Sequence, residues 1–141
     1  MANAIRRFFE PSTRGATDAG LLVLRLWVGF TLAFGHGLSK ILTLGKFIAT
    51  VERHGFPLPQ VTGPIAAFSE FAGGILLALG LATRPAATLV LATMLGAALK
   101  VHAHDPFSKK ELALVYGLVA LAVLVAGPGR YSLDARLERR R

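Results

Sequence analysis

Apolar residues in this chain gather in four long blocks, at about 19–37, 61–82, 85–102 and 111–127, separated by shorter polar or proline-bearing stretches. Each block approaches the roughly 20 residues that a helix needs to cross about 30 Å of hydrocarbon, the fourth lying at the lower limit. The connection Leu38–Gln60 is too long for a plain turn. Within it Ile41, Leu44, Phe47, Ile48 and Val51 recur at helical spacing, with Lys40, Lys46, Glu52 and Arg53 on the other side. That pattern predicts an amphipathic helix stopped by Gly55, Pro57 and Pro59, either a lid over the bundle mouth or a membrane-surface anchor. The turn at Thr83-Arg84-Pro85 is tight and makes the second and third helices antiparallel neighbours. Asp105–Ser108 forms the last connection, with Ser108 as N-cap and Glu111 at the capping-box position. Gly127-Pro128-Gly129 then stops the fourth helix.

The predicted fold is all-α: an integral membrane four-helix bundle with an amphipathic helix in the first extracytoplasmic connection. It divides into an interfacial segment 1–18, a transmembrane domain 19–128 and a basic tail 129–141. The first block begins late and ends in Gly35-His36-Gly37 rather than a small-residue cleavage site, so no signal peptide is expected. Ile5, Phe8 and Phe9 beside Arg6 and Arg7 suit either a segment lying in the interface or a frayed tail.

Composition supports a membrane setting and charge orients it. Only 17% of residues are charged, yet the net charge is +8. The basic residues collect at the two ends, at Arg6, Arg7, Arg14, Arg130, Arg136 and Arg139–Arg141, with Arg84 between the second and third blocks. Four spans put these on one side, and the positive-inside rule makes that side cytoplasmic. Arginines so placed are expected to meet anionic lipid headgroups rather than nucleic acid. Cysteine is absent, which excludes a disulfide, a thiolate metal site and thiol–disulfide chemistry carried by this chain.

Glu70 is the sole charged residue of its span. A carboxylate at that depth costs roughly 2.5–3.5 kcal/mol on insertion scales, so it is expected to face a partner inside the bundle. Arg25, in the first span, is the expected partner. Arg25 and His36 fall about 20° apart on an ideal helix, and Gly29 and Ala33 lie nearly on the same line. On the second span Gly63, Ala66, Ala67, Gly73 and Gly74 surround the face of Glu70, so the two helices are expected to pack through these small residues. Such a pair either fixes helix register or takes part in binding or proton transfer.

A second polar cluster is expected at the outer end, from His36, Lys40, Lys100, His102, His104, Glu111 and Tyr116. On a helix His102 and His104 diverge by about 200° and cannot share one ion, so no metal site is assigned. The open readings are a polar pocket with a histidine able to move protons near neutral pH, plain headgroup contacts, or, only if the helix end unwinds and Glu111 or His36 adds a ligand, a bound metal. The first and third spans also end alike, in small residues, histidine and lysine: Gly35, His36, Lys40 and Ala98, Lys100, His102.

The chain resembles the DoxX family of small bacterial membrane proteins over about Leu22–Leu133. The carrying elements are Arg25-Leu26 with Gly29, His36-Gly37-Leu38-Ser39-Lys40, Gly55-Phe56-Pro57, Glu70-Phe71-Ala72-Gly73-Gly74 and Leu79-Gly80-Leu81-Ala82-Thr83-Arg84. His102, Glu111 and Gly127-Pro128-Gly129-Arg130-Tyr131-Ser132-Leu133-Asp134 complete the pattern. The resemblance implies a four-helix bundle in the bacterial cytoplasmic membrane. It also implies a link to the DoxD-type membrane subunit of a thiosulfate:quinone oxidoreductase, and to membrane complexes dealing with oxidative stress. The cysteine pairs of distantly similar quinone-reducing bundles have no counterpart here.

The first functional expectation is a subunit of a quinone-linked oxidoreductase that binds a quinone or similar apolar redox ligand. His36, Glu70, His102 and Glu111 would handle protons, while Arg25, Lys40, Lys100 and Tyr116 join His36, Glu70 and His102 in lining the site. Electrons would come from a partner subunit or directly from a reductant. The alternative is a non-enzymatic anchor or assembly module, in which the polar residues serve packing, and a weaker third is passage of a small molecule or proton. A partner subunit or a homo-oligomer is expected in either of the first two cases.

Overall fold

The computed structural model describes residues 14–140, and these form six helices with no strand among them. The expected interfacial segment around Ile5, Phe8 and Phe9 lies outside the described residues. Helix α1 spans Arg14–Leu42, α2 Leu44–Arg53, α3 Pro59–Leu79, α4 Thr83–Val101, α5 Phe107–Ala126 and α6 Leu133–Glu138. Three of them, α1, α3 and α4, are long and apolar enough to cross a membrane. The fourth long helix, α5, carries Lys109, Lys110 and Glu111 near its start and is apolar from Leu112 onward.

Apolar residues point outward as well as inward. Trp27, Leu99 and Val125 are 69–74% exposed, as expected where lipid rather than water bathes the surface. The interior holds Leu32, Leu77, Val90, Met94, Ala120 and Val123 at the meeting of the four long helices.

Two helix limits differ from expectation. The first helix continues past Gly37 to Leu42, because nothing in Leu38–Leu42 breaks it, and Thr43 (φ −121°, ψ 39°) makes the bend into α2. Ser108 does not cap α5. Pro106 precedes the helix with extended geometry (φ −55°, ψ 154°) and its carbonyl accepts from the Lys109 amide at 2.9 Å, so Ser108 lies within the first turn. The amphipathic helix does form, as α2, with Val51 buried and Ile48 seated over Gly63 of α3.

Two helices contain π-helical stretches, Thr31–Gly37 in α1 and Ala97–Val101 in α4. Such turns are frequent at functional sites. The first ends three residues before Lys40, which lines the cavity described below, and the second contains Lys100, which stands near its rim.

Candidate functional site

The α1–α3 register decides which polar groups meet. Gly29 faces Gly74 across an antiparallel crossing so close that a Cβ on Gly29 would collide with the Gly74 carbonyl and Ala78. One on Gly74 would lie 2.7 Å from the Gly29 carbonyl. At the π turn Gly37 abuts the backbone of Glu70 and Phe71 in the same way. This register places Arg25 beside Leu77, where its guanidinium donates to the Leu77 carbonyl at 3.3 Å.

Arg25 therefore does not pair with Glu70. Leu77 is seven residues beyond Glu70, about 10 Å along the helix axis at 1.5 Å per residue. Arg25 and His36, expected on one face of the helix, meet different elements, with a π stretch between them. His36 instead lies against Tyr116 of α5, with ring centroids 5.8 Å apart and edge-on.

The partner of Glu70 is Lys40. Its ammonium lies 2.5 Å from both carboxylate oxygens, reaching back from the last turn of α1. The Glu70 side chain is 3% exposed and that of Lys40 29%. Lys40 also sits 5.0 Å from the ring centroid of Phe47, which ties the pair to α2.

Beside this pair is a cavity of about 440 Å³ enclosed by α2, α3 and α4, within the usual range for small-molecule sites. Its walls are mostly apolar, with Phe47, Val51, Phe56 and Ala92 among them, and Lys40, Glu70, His54 and His102 supply polar groups. Ile65 and Leu89, 52% and 48% exposed, also line it, so part of its lining belongs to the apolar surface of the bundle.

The other residues expected at the outer end fall around this space unevenly. The His102 ring lies 2.7 Å from the Asp105 carboxylate. That hydrogen bond is the main cause holding Asp105 below the ordinary carboxylate range, with the charges of His102, Lys109 and Lys110 adding to it against a smaller effect of burial. Lys100 stands at the rim, its ammonium donating to the Gly55 carbonyl at 2.6 Å and lying 4.8 Å from the Phe56 centroid. His104 and Glu111 are exposed and do not line the cavity. Sequence reasoning missed His54 as a lining residue. Its signal was Phe47, Val51 and His54 at spacings of four and three, the stripe of α2 continued into the residue that caps its end.

The DoxX family model matches residues 20–103, more than half of the chain. This chain is a member of the DoxX family. It is 32% identical to the Mycobacterium tuberculosis protein "Uncharacterized membrane protein Rv3486", over 85% of this chain and 82% of that one. It is 31% identical to "Putative oxidoreductase CatD" of Bacillus subtilis, over 83% of this chain and 86% of that one. No solved structure gives a significant match.

At the opposite end of this DoxX protein the Gly127–Asp134 stretch has a structural task. After α5 the chain folds back, and its Asp134 carboxylate accepts from the amides of Ala82 and Thr83, each at 2.9 Å, and from the Thr83 hydroxyl at 2.7 Å. Asp134 thus caps α4 from 51 residues away and holds Ala82 in its left-handed conformation (φ 46°). Burial pushes the Asp134 carboxyl up, but the bonds from Thr83 and Ala82 and the charge of Arg25 outweigh it, so its pKa is lowered. Arg25, 1% exposed, adds a bond to the Tyr131 carbonyl at 3.2 Å. Gly80 (φ 65°) lies between Arg25 and Ser132, where a side chain would strike the guanidinium.

Proposed function

We propose that this DoxX protein is a cytoplasmic-membrane subunit of a quinone-linked oxidoreductase, with both termini cytoplasmic. A quinone or similar apolar redox ligand occupies the cavity between α2, α3 and α4. The observation that carries this reading is the Lys40–Glu70 pair, its carboxylate buried at mid-span, beside a mostly apolar cavity lined in part by outward-facing apolar side chains. Such a cavity suits a ligand that arrives from the bilayer rather than from water. The oxidoreductase name of the Bacillus subtilis relative supports the same reaction class.

Bound there, a quinone would supply two-electron redox chemistry, with electrons from a partner subunit or directly from a reductant, since no thiol of this chain can carry them. The residues bind and handle protons. The Lys40 ammonium donates to a ligand carbonyl oxygen, the Glu70 carboxylate accepts from a ligand hydroxyl, and His102, steadied by Asp105, exchanges protons with the outer side. Phe47 and Phe56 enclose the ring. Arg25, His36, Tyr116, Lys100 and Glu111 are removed from direct contact and serve the bundle or its rim.

The anchor reading has one observation in its favour: Arg25 and Lys40, the two cations set against α3, are both engaged with groups of the chain itself. The deciding experiment is extraction of lipids from the purified protein, followed by quinone titration of Lys40→Met and His102→Ala. Co-purifying quinone, with at least tenfold weaker binding in both variants, supports the subunit. No quinone, with His102→Ala silent in every assay while Arg25→Ala fails to assemble, establishes the anchor.

A further inference from the structure

At the end of the molecule opposite the cavity, Arg130, Tyr131, Arg136, Arg139 and Arg140 line a hollow of about 380 Å³. We infer that this hollow is a binding site for the phosphate-bearing headgroup of an anionic phospholipid.

The hollow is held in place by the rest of the fold. Asp134 is fixed to the turn between α3 and α4, and its own amide donates to the Gly80 carbonyl at 2.9 Å. The turn joins two helices long and apolar enough to cross a membrane, so α6 and its arginines lie at the level where acyl chains give way to headgroups. The Arg139 guanidinium donates to the carbonyls of Arg130 and Ala135, at 3.0 and 3.1 Å, which closes the wall of the hollow. The Arg130 guanidinium lies 5.3 Å from the Tyr131 ring centroid. No hydrogen bond or ion pair among the described residues engages the Arg136 or Arg140 guanidinium.

Charge and apolarity both select the occupant. Four arginines line the hollow, while the acidic groups nearby are engaged or lie outside its lining: Asp134 caps α4, Asp18 accepts the Arg130 amide at 3.1 Å, and Glu138 is exposed and does not line the hollow. Guanidinium forks match phosphate oxygens geometrically. Tyr131 and Leu137, 47% and 52% exposed beside them, suit burial at the acyl boundary. A free phosphate or a nucleic acid would use the charges and leave these apolar side chains in water.

The test is native mass spectrometry of the delipidated full chain in detergent, titrated with phosphatidylglycerol, cardiolipin or phosphatidylcholine. Anionic lipids are expected to bind in preference to phosphatidylcholine, and the preference to fade at 0.5 M salt. Arg136→Gln/Arg140→Gln, which breaks no contact within the protein, is expected to weaken anionic-lipid binding about 30-fold for two charges lost. Lys109→Gln/Lys110→Gln, near the start of α5 at the cavity end, should leave it unchanged. The inference is overturned if the arginine variant binds like the parent, if the lysine variant loses as much, or if millimolar inorganic phosphate or a short RNA displaces the lipid. None of these readouts depends on quinone, so the site stands or falls separately from the cavity.

Discussion

Lys40 and Glu70 form a nearly symmetric ion pair at mid-bundle, the ammonium 2.5 Å from each carboxylate oxygen, with the acid side far more deeply buried than the base. That asymmetry makes the two single substitutions unequal. Removing one partner of a fully buried pair costs about 3–5 kcal/mol, because the other charge is left without compensation. Glu70, at 3% exposure, has no route to water, whereas Lys40 at 29% can turn outward on its flexible stem. Lys40→Met is therefore expected to destabilise by about 3 kcal/mol and Glu70→Gln by about 1 kcal/mol. Lys40→Met/Glu70→Leu should cost less than the sum. Thermal unfolding in detergent gives all three values, and a larger loss for Glu70→Gln than for Lys40→Met would contradict the burial order.

The glycine crossing of α1 and α3 gives a second contrast. Ala at position 74 would place its Cβ 2.7 Å from the Gly29 carbonyl and 2.9 Å from the Ala33 amide, both backbone atoms that cannot rotate away. Gly74→Ala should cost about 1–3 kcal/mol through helix separation. Gly20, on the same α1, has nothing within 4 Å of its would-be Cβ. Gly20→Ala is expected to stabilise by about 0.5–1 kcal/mol through reduced chain entropy and better helix propensity. Opposite signs in one unfolding assay confirm the crossing, and equal signs refute it.

Asp134 predicts a pH response. Its folded pKa is lowered, so the native state prefers the charged form more than the unfolded chain does. The resulting stability is fully present above the unfolded value of about 4 and is lost as pH falls through the lower native value. Asp134→Asn should remove part of that acid sensitivity and, as loss of a cap, cost about 1–2 kcal/mol at neutral pH. Unfolding midpoints between pH 6 and pH 3 for parent and variant provide the measurement. Parallel curves would show that the Asp134 carboxylate carries none of the response.

The long apolar blocks needed no three-dimensional information, because length and composition alone distinguish a membrane-crossing helix, and the inward turn of Glu70 followed from the cost of a charge in lipid. Its partner did not. Choosing Lys40 over Arg25 requires knowing that α1 runs on to Leu42 and that Gly29 meets Gly74, and both are facts of register rather than of composition. Gly127–Asp134 was visible as a motif, but the cap it provides spans 51 residues, beyond the reach of any local pattern. His36 and Tyr116 are expected in one polar cluster and do meet, whereas the pairing of His102 with Asp105 is not read from the sequence, because Asp105 figures there only as part of a connection.

Lys100 offers the sharpest separation of stability from access. Its ammonium holds the Gly55 carbonyl at 2.6 Å and lies 4.8 Å from the ring of Phe56, a wall of the cavity. Both contacts pin the connection between α2 and α3 without entering the hydrophobic interior. At an exposed position such a cation–ring contact is worth about 0.5–1 kcal/mol, so Lys100→Met should barely shift the unfolding temperature. Local opening is another matter, since amide exchange reports the stability of the individual segment rather than of the whole. The Gly55 and Phe56 amides, bonded to the Glu52 and Val51 carbonyls at 2.8 and 3.3 Å, should exchange several-fold faster in the variant, while amides of the α3 interior stay unchanged. A bound apolar ligand should also leave faster, with little effect on its rate of arrival. If exchange at Gly55 and Phe56 is unaltered, the backbone bonds and Pro57 and Pro59 hold this connection without Lys100, which then has no part in controlling the cavity.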